Sequence, residues 1–206
     1  MIGLSVEHFA YVVEIAAARG SGQDRARAFA HGDDLVIALA DGAGGTGNGA
    51  TAAQAIVNAV GAVGPGVDWC GLLADLDLDG KRLGHGQSTA VVLLISSSGI
   101  SGSSIGDSGA WLIAGTEVLD LTDGQARKPL VGDGCNPFRV AAPPLVDGTL
   151  LVASDGLLRY AKRSDIARIA GGPDLAAAAR ALVDLVRLPN GEFQDDVAIV
   201  LCRRQR

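Results

Sequence analysis

The sequence predicts an α+β fold with stacked sheets, and two observations carry that expectation. Helix-like stretches come in two batches set among runs of strands, not in the strand-by-strand alternation of βαβ units. The opening strand-like run is apolar on both alternating sides, with Val6, Ala10 and Val12 on one and Phe9, Tyr11, Val13 and Ile15 on the other, so it needs cover on both faces.

Residues 6–15 form that first strand, Arg19-Gly20-Ser21-Gly22-Gln23-Asp24 is a turn-rich link, and residues 35–40 are a second strand. Beyond a glycine cluster, residues 50–63 read as a helix, because Ala52, Ala55, Ile56, Ala59, Val60 and Val63 recur at helical spacing. A second short helix is expected at residues 69–78. Strands follow at 89–95, 99–105 and 110–114, separated by Ser- and Gly-rich turns. Residues 122–146, rich in Gly and Pro, are expected as an ordered loop with little regular structure. A strand at 150–153 leads to a helix at 165–170 with Ser164 as its cap. A clearer helix spans 174–187, with Leu175, Ala178, Leu182, Leu185 and Val186 on one stripe. Residues 197–202 make the last strand.

A chain of 206 residues suits one well-buried core, and no repeat or linker divides it, so residues 1–206 are expected to form a single domain. A hydrophobic share of 48% with 19% charged residues excludes a disordered chain. The net charge of -6 argues against a general nucleic-acid or anionic-membrane surface. No apolar run approaches the ~18 residues that span a bilayer, and residues 1–5 show no basic segment leading into a hydrophobic stretch. Cys70, Cys135 and Cys202 are widely spaced without a CxxC pair, which argues against a disulfide framework or a thiolate zinc site. A reducing cytoplasm is the expected location, and a monomer the expected state.

Three strand runs meet aspartates. Residues 35–40 end in Asp41-Gly42-Ala43-Gly44-Gly45, residues 150–153 end in Ser154-Asp155-Gly156, and Asp195-Asp196 open the final strand. A carboxylate at the end of a buried strand is held rigidly, and rigid carboxylates converging from several strands repel one another unless a cation sits between them. The pattern therefore asks for hard, oxygen-loving metal ions.

Blander readings compete at each motif. The glycine cluster after Asp41 reads first as a strand-to-helix turn; a phosphate loop ranks below it, since neither GxGxxG in a βαβ unit nor GxxxxGK(S/T) is present and no Lys follows the glycines. Asp75-Leu76-Asp77-Leu78-Asp79-Gly80 imitates an EF-hand start, yet its twelfth position is Gly86, so a solvated helix end is expected. Asp107 is read as a turn carboxylate capping backbone N–H groups. His8, His31 and His85 form no metal-binding pair, Ser88 and Ser154 lie in no GxSxG elbow, and residues 203–206 read as a frayed tail.

Taken together, six stretches resemble the metal-dependent protein phosphatases, the PPM or type 2C family, in its compact bacterial form. They are Arg19-x-x-x-Gln23-Asp24, Asp41-Gly42-x-Gly44-Gly45, Ser88-Thr89-Ala90, Ile105-Gly106-Asp107-Ser108, Ser154-Asp155-Gly156-Leu157 and Asp195-Asp196, in the family's order. Leu130-Val131-Gly132-Asp133-Gly134 followed by Pro137 is similar to the same members. The resemblance implies an α-β-β-α sandwich of two antiparallel sheets with two Mn or Mg ions at one end. It further implies that Asp41 bridges the ions, that Gly42 offers a carbonyl, and that Asp24 acts directly or through waters. Asp155 and Asp195 hold the second ion, and Arg19 binds the substrate phosphate. The activity implied is hydrolysis of phosphoserine and phosphothreonine on proteins by a metal-bound hydroxide.

Three positions depart from the pattern: Gln23 replaces a Glu, Ala43 stands where eukaryotic members carry a His, and no carboxylate near Gly84 offers a third ion site. The alternatives are a regulatory binding module that kept the fold and lost activity, and a nucleotide-binding protein using the glycine cluster. The region around residues 122–146 corresponds to the family's flap and looks short, which leaves the phosphoprotein substrate open.

Overall fold

The computed structural model describes residues 4–6, 8–43, 48–84 and 86–205. Residues 44–47 of the glycine cluster and His85 lie outside the described residues. Among those described, eleven strands form two antiparallel sheets. The first sheet runs β1(Leu4–Val6), β2(Phe9–Ala16), β11(Val197–Arg204), β10(Thr149–Ala153), β7(Gly109–Ala114), β8(Glu117–Asp120). The second runs β3(Arg25–His31), β4(Asp34–Ala40), β5(Ala90–Ser96), β6(Gly99–Ile105), β9(Phe138–Ala142). The helices are α1(Gly49–Ala62), α2(Trp69–Leu83), α3(Asp155–Leu158), α4(Arg163–Ala170) and α5(Leu175–Leu185).

Alternation along the central strands sorts side chains into three apolar layers. Leu35, Ile37 and Leu39 of β4 meet Leu150, Val152, Ala198 and Val200 between the sheets. The opposite face of β4, Val36 and Ala38, packs under Ile56 and Val60 of α1 and Leu73 of α2. Leu151, Ile199 and Leu201 face Ile166 of α4 and Ala179 and Leu182 of α5. The result is the expected α-β-β-α sandwich. Central strands are apolar on both faces because one face meets a sheet and the other a helix.

Several boundaries differ from the sequence reading. The first run is divided into β1 and β2, which pair as a hairpin with Val6 opposite Phe9. β3 was not expected, since its sheet-facing residues are Ala26 and Ala28, which carry little hydrophobic signal. β8 and β9 are edge strands with a partner on one side only, inside or beside stretches read as loop. α2 continues past its expected end to Leu83, and α3 starts at Asp155 itself. α4 begins at Arg163 with Lys162 at its N-cap, so Ser164 is not the cap, whereas Asp174 caps α5 by accepting the Ala177 N–H at 2.8 Å. The tail is not frayed up to Arg204. Arg203 lies in β11 and donates to Thr149 Oγ1 at 2.8 Å and to the Gly172 carbonyl at 2.6 Å.

Asp77 is also no solvated helix end. It is 5% exposed, and its Oδ1 accepts the backbone N–H groups of Gly132, Asp133, Gly134 and Cys135 at 2.8–3.2 Å. Burial tends to raise its pKa, but these backbone donors and Lys81 outweigh burial and lower it. The Gly132-Asp133-Gly134 turn is thus gathered around one buried carboxylate on α2.

Candidate active site

At one end of the sandwich each sheet delivers two carboxylates. β3 and β4 are antiparallel with Arg25 opposite Ala40, so Asp24, just before β3, and Asp41, just after β4, leave the ladder side by side. β10 and β11 are antiparallel with Ala153 opposite Ile199, which brings Asp155, heading α3, near Asp195, just before β11.

The electrostatics show how closely they approach. Asp24 is 1% exposed and neither of its carboxylate oxygens has a hydrogen-bond partner. Burial pushes its carboxyl up to about 7, with Asp196 and Asp195 adding repulsion. The Ser154 hydroxyl and the Asp41 carboxyl offset part of this without meeting hydrogen-bond geometry to either oxygen. Burial also pushes Asp41 up to about 9, reinforced by Asp24, Asp155 and Asp195. Asp155 is raised by burial, then by Asp107 and Asp195, against the pull of Arg159 at 4.0 Å.

Backbone hydrogen bonds fix Asp41. Its N–H donates to Thr89 Oγ1 at 3.0 Å, and its carbonyl accepts the Thr89 N–H at 2.8 Å and the Ser88 hydroxyl at 2.9 Å. The Thr89 hydroxyl meets Ser108 Oγ at 2.7 Å, which ties in the Gly106-Asp107-Ser108 turn. Ser154 Oγ accepts the Ala198 N–H at 2.9 Å and so joins the ends of β10 and β11. Gly42 is buried and paired with Ser88 in an isolated bridge. A Cβ on Gly42 would lie 2.4 Å from the Gly49 backbone, so glycine there permits the start of α1 to close on the Asp41 turn. The short Ser-Thr and Gly-Asp-Ser motifs thus act as braces for the acid cluster.

Arg19 sits exposed in the turn after β2, and among the described residues no ion pair or side-chain hydrogen bond engages it. Asp107, read from the sequence as a turn cap, accepts no backbone N–H among the described residues and instead lies near enough to Asp155 to raise its pKa. A second residue beside the cluster, Arg159, escaped the sequence reading. Arg159 follows Asp155 by one helical turn, a spacing that could have flagged it.

Do these residues suit divalent cations? Among the described residues no three His, Cys, Asp or Glu side chains stand close enough to make a ready metal shell. What they offer is a dense group of oxygen donors, destabilised as anions, with both Asp24 oxygens free of donors. Mg and Mn suit such a group, since hard ions keep several waters and need only one or two direct carboxylates each. The donor set fits.

No protein-family model and no curated protein sequence matches the chain. Solved structures do match its fold. The S. agalactiae serine/threonine phosphatase superimposes with a TM-score of 0.83 at 18% identity, covering 96% of this chain and 100% of that one. RsbX in complex with magnesium gives 0.79 at 17% identity, covering 98% of each chain. The catalytic domain of the serine/threonine protein phosphatase PstP, in complex with two manganese ions, gives 0.78 at 19% identity, covering 97% of this chain and 99% of that one. At these identities the likeness is one of fold, and the fold is that of bacterial serine/threonine phosphatases.

Proposed function

We propose that this chain is a metal-dependent phosphatase that hydrolyses phosphoserine and phosphothreonine on proteins. The observation that supports it best is the acid cluster: burial and mutual repulsion disfavour Asp24 and Asp41 as anions, a cost that a bound cation would offset. Asp24, Asp41, Asp155 and Asp195, with the Gly42 carbonyl, are the residues that would hold two Mn or Mg ions. Bound there, the ions would polarise phosphoryl oxygens and acidify water for in-line attack on phosphorus. Arg19 would grip the phosphate, its planar fork matching two phosphate oxygens and offsetting charge that builds there. Position 43 is Ala, so the departing serine or threonine oxygen takes its proton from water. Thr89 and Ser88 hold the Asp41 backbone, and so the point from which its carboxylate enters the cluster.

A second reading, a binding module of the same fold without turnover, draws on the missing three-residue metal shell among the described residues. Phosphate release from a phosphopeptide panel, measured with Mn and again with EDTA, separates the two. Mn-dependent release abolished by EDTA supports the phosphatase. Phosphopeptide binding without release, at saturating Mn, overturns it.

A further inference from the structure

The carboxylate of Asp196 joins both ends of the loop that carries Arg19. β2 ends at Ala16 opposite Val197, the first residue of β11. Asp196 therefore sits just beyond the ladder, facing the chain as it leaves β2. Its Oδ1 accepts the Ala18 N–H at 2.7 Å, and its Oδ2 accepts the Gln23 N–H in a short hydrogen bond. Within the bracket the Gly22 N–H donates to the Arg19 carbonyl at 3.1 Å. Gly22 has φ +66°, and an added Cβ would lie 3.1 Å from Asp196 Oδ2, so the loop lies tight against the carboxylate. Asp196 is itself held: its N–H donates to Asp195 Oδ1 at 3.0 Å, and a Cβ on Gly156 would come within 1.8 Å of its carbonyl oxygen.

We infer that Asp196 is a positioning residue that fixes the Arg19 loop beside the acid cluster, next to Asp24; this rests on the phosphatase reading. Asp24 is aligned separately by the β3–β4 ladder, which leaves the loop as the part that needs an anchor. The arrangement uses both oxygens of a carboxylate. Ala18 and Gln23 each donate to a different one, and an Asn there would turn its NH2 toward one of the two donors.

Asp196→Asn is nearly isosteric and tests this. At saturating Mn, KM for a phosphopeptide is expected to rise about tenfold with turnover changed less than about threefold. In an Arg19→Ala background the same substitution should change KM less than about twofold, because its effect runs through Arg19. Trypsin cleavage after Arg19 in the intact protein, at matched thermal stability, should quicken about tenfold relative to the wild type. That last readout holds whether or not the chain hydrolyses phosphate. An inactive wild type with faster cleavage in the variant removes the phosphatase reading and keeps the clamp. Unchanged cleavage in the variant overturns the clamp, as does an additive effect on KM in the Arg19→Ala background.

Discussion

Asp41 and Thr89 hold each other by two backbone-centred hydrogen bonds, Asp41 N–H to Thr89 Oγ1 at 3.0 Å and Thr89 N–H to the Asp41 carbonyl at 2.8 Å. Thr89 is 3% exposed, so neither bond is replaced by water when lost. Thr89→Val keeps the shape and removes the hydroxyl. It should cost about 1–3 kcal/mol of stability, and it should lower turnover about tenfold by loosening the backbone that carries Asp41. Urea melts and initial rates check both, and a variant as active as the wild type would refute the bracing role.

Asp41→Asn should remove nearly all activity while raising the stability of the metal-free protein at alkaline pH. The sign follows from burial. Asp24 and Asp41 are raised in the folded state, to about 7 and about 9, so the folded protein binds more protons than the unfolded one above pH ~4. Stability of the metal-free protein therefore falls as pH rises from about 4 through 9, and Mn restores most at the alkaline end. Melting temperatures from pH 5 to 9, with EDTA and with Mn, test the trend. A flat profile in EDTA, or more than about a tenth of wild-type turnover in Asp41→Asn, would falsify it.

Asp195 and Asp196 are adjacent and should behave differently. Asp195→Ala is expected to weaken Mn binding and activity by about two orders of magnitude or more, since the proposed function makes it a direct ligand. Asp196→Asn should leave Mn affinity within about threefold, because its oxygens are spent on Ala18 and Gln23. Mn titration of both variants decides it, and the reverse ranking would put the other aspartate on the metal.

Arg19→Ala should raise KM more than it lowers turnover, since the cations still supply the attacking water. Equal kinetics in the two proteins would place Arg19 outside the site.

Asp77→Ala should destabilise the protein by about 3 kcal/mol, because four backbone N–H groups lose their shared acceptor. The carboxyl is held below its ordinary value, so its contribution is present above pH ~4 and is lost as pH falls through the lowered value. Denaturant melts at pH 5 and pH 3 should show the variant's deficit shrinking in acid. A deficit of the same size at both values would contradict the account.

The central strands were legible because Val, Ile and Leu fill both faces of β4, β5, β10 and β11. β3 was not, since Ala26 and Ala28 fill its core face too quietly to register. β8 and β9 escaped because these short edge strands bury few apolar side chains, Val140 being their one fully buried residue. At the site, Asp41, Asp155 and Asp195 stood out by their places at strand ends, whereas Asp24 was legible only through the family resemblance, because the strand it precedes, β3, was not. The partner of Asp196 lies 173 to 178 residues away, a pairing that no local pattern encodes. Periodicity also failed to choose between Asp195 and Asp196, because Val197 packs on helices and Ala198 between the sheets.

β11 is the last strand in the chain yet lies inside the first sheet, between β2 and β10. Until its residues leave the ribosome the first sheet has a gap in its middle, and the acid cluster lacks Asp195. Every nascent chain that stops short of β11 therefore lacks both the middle of its first sheet and one acid of the cluster, whatever fraction of its core has formed. Both are completed together when β11 enters a gap between partners synthesised long before it.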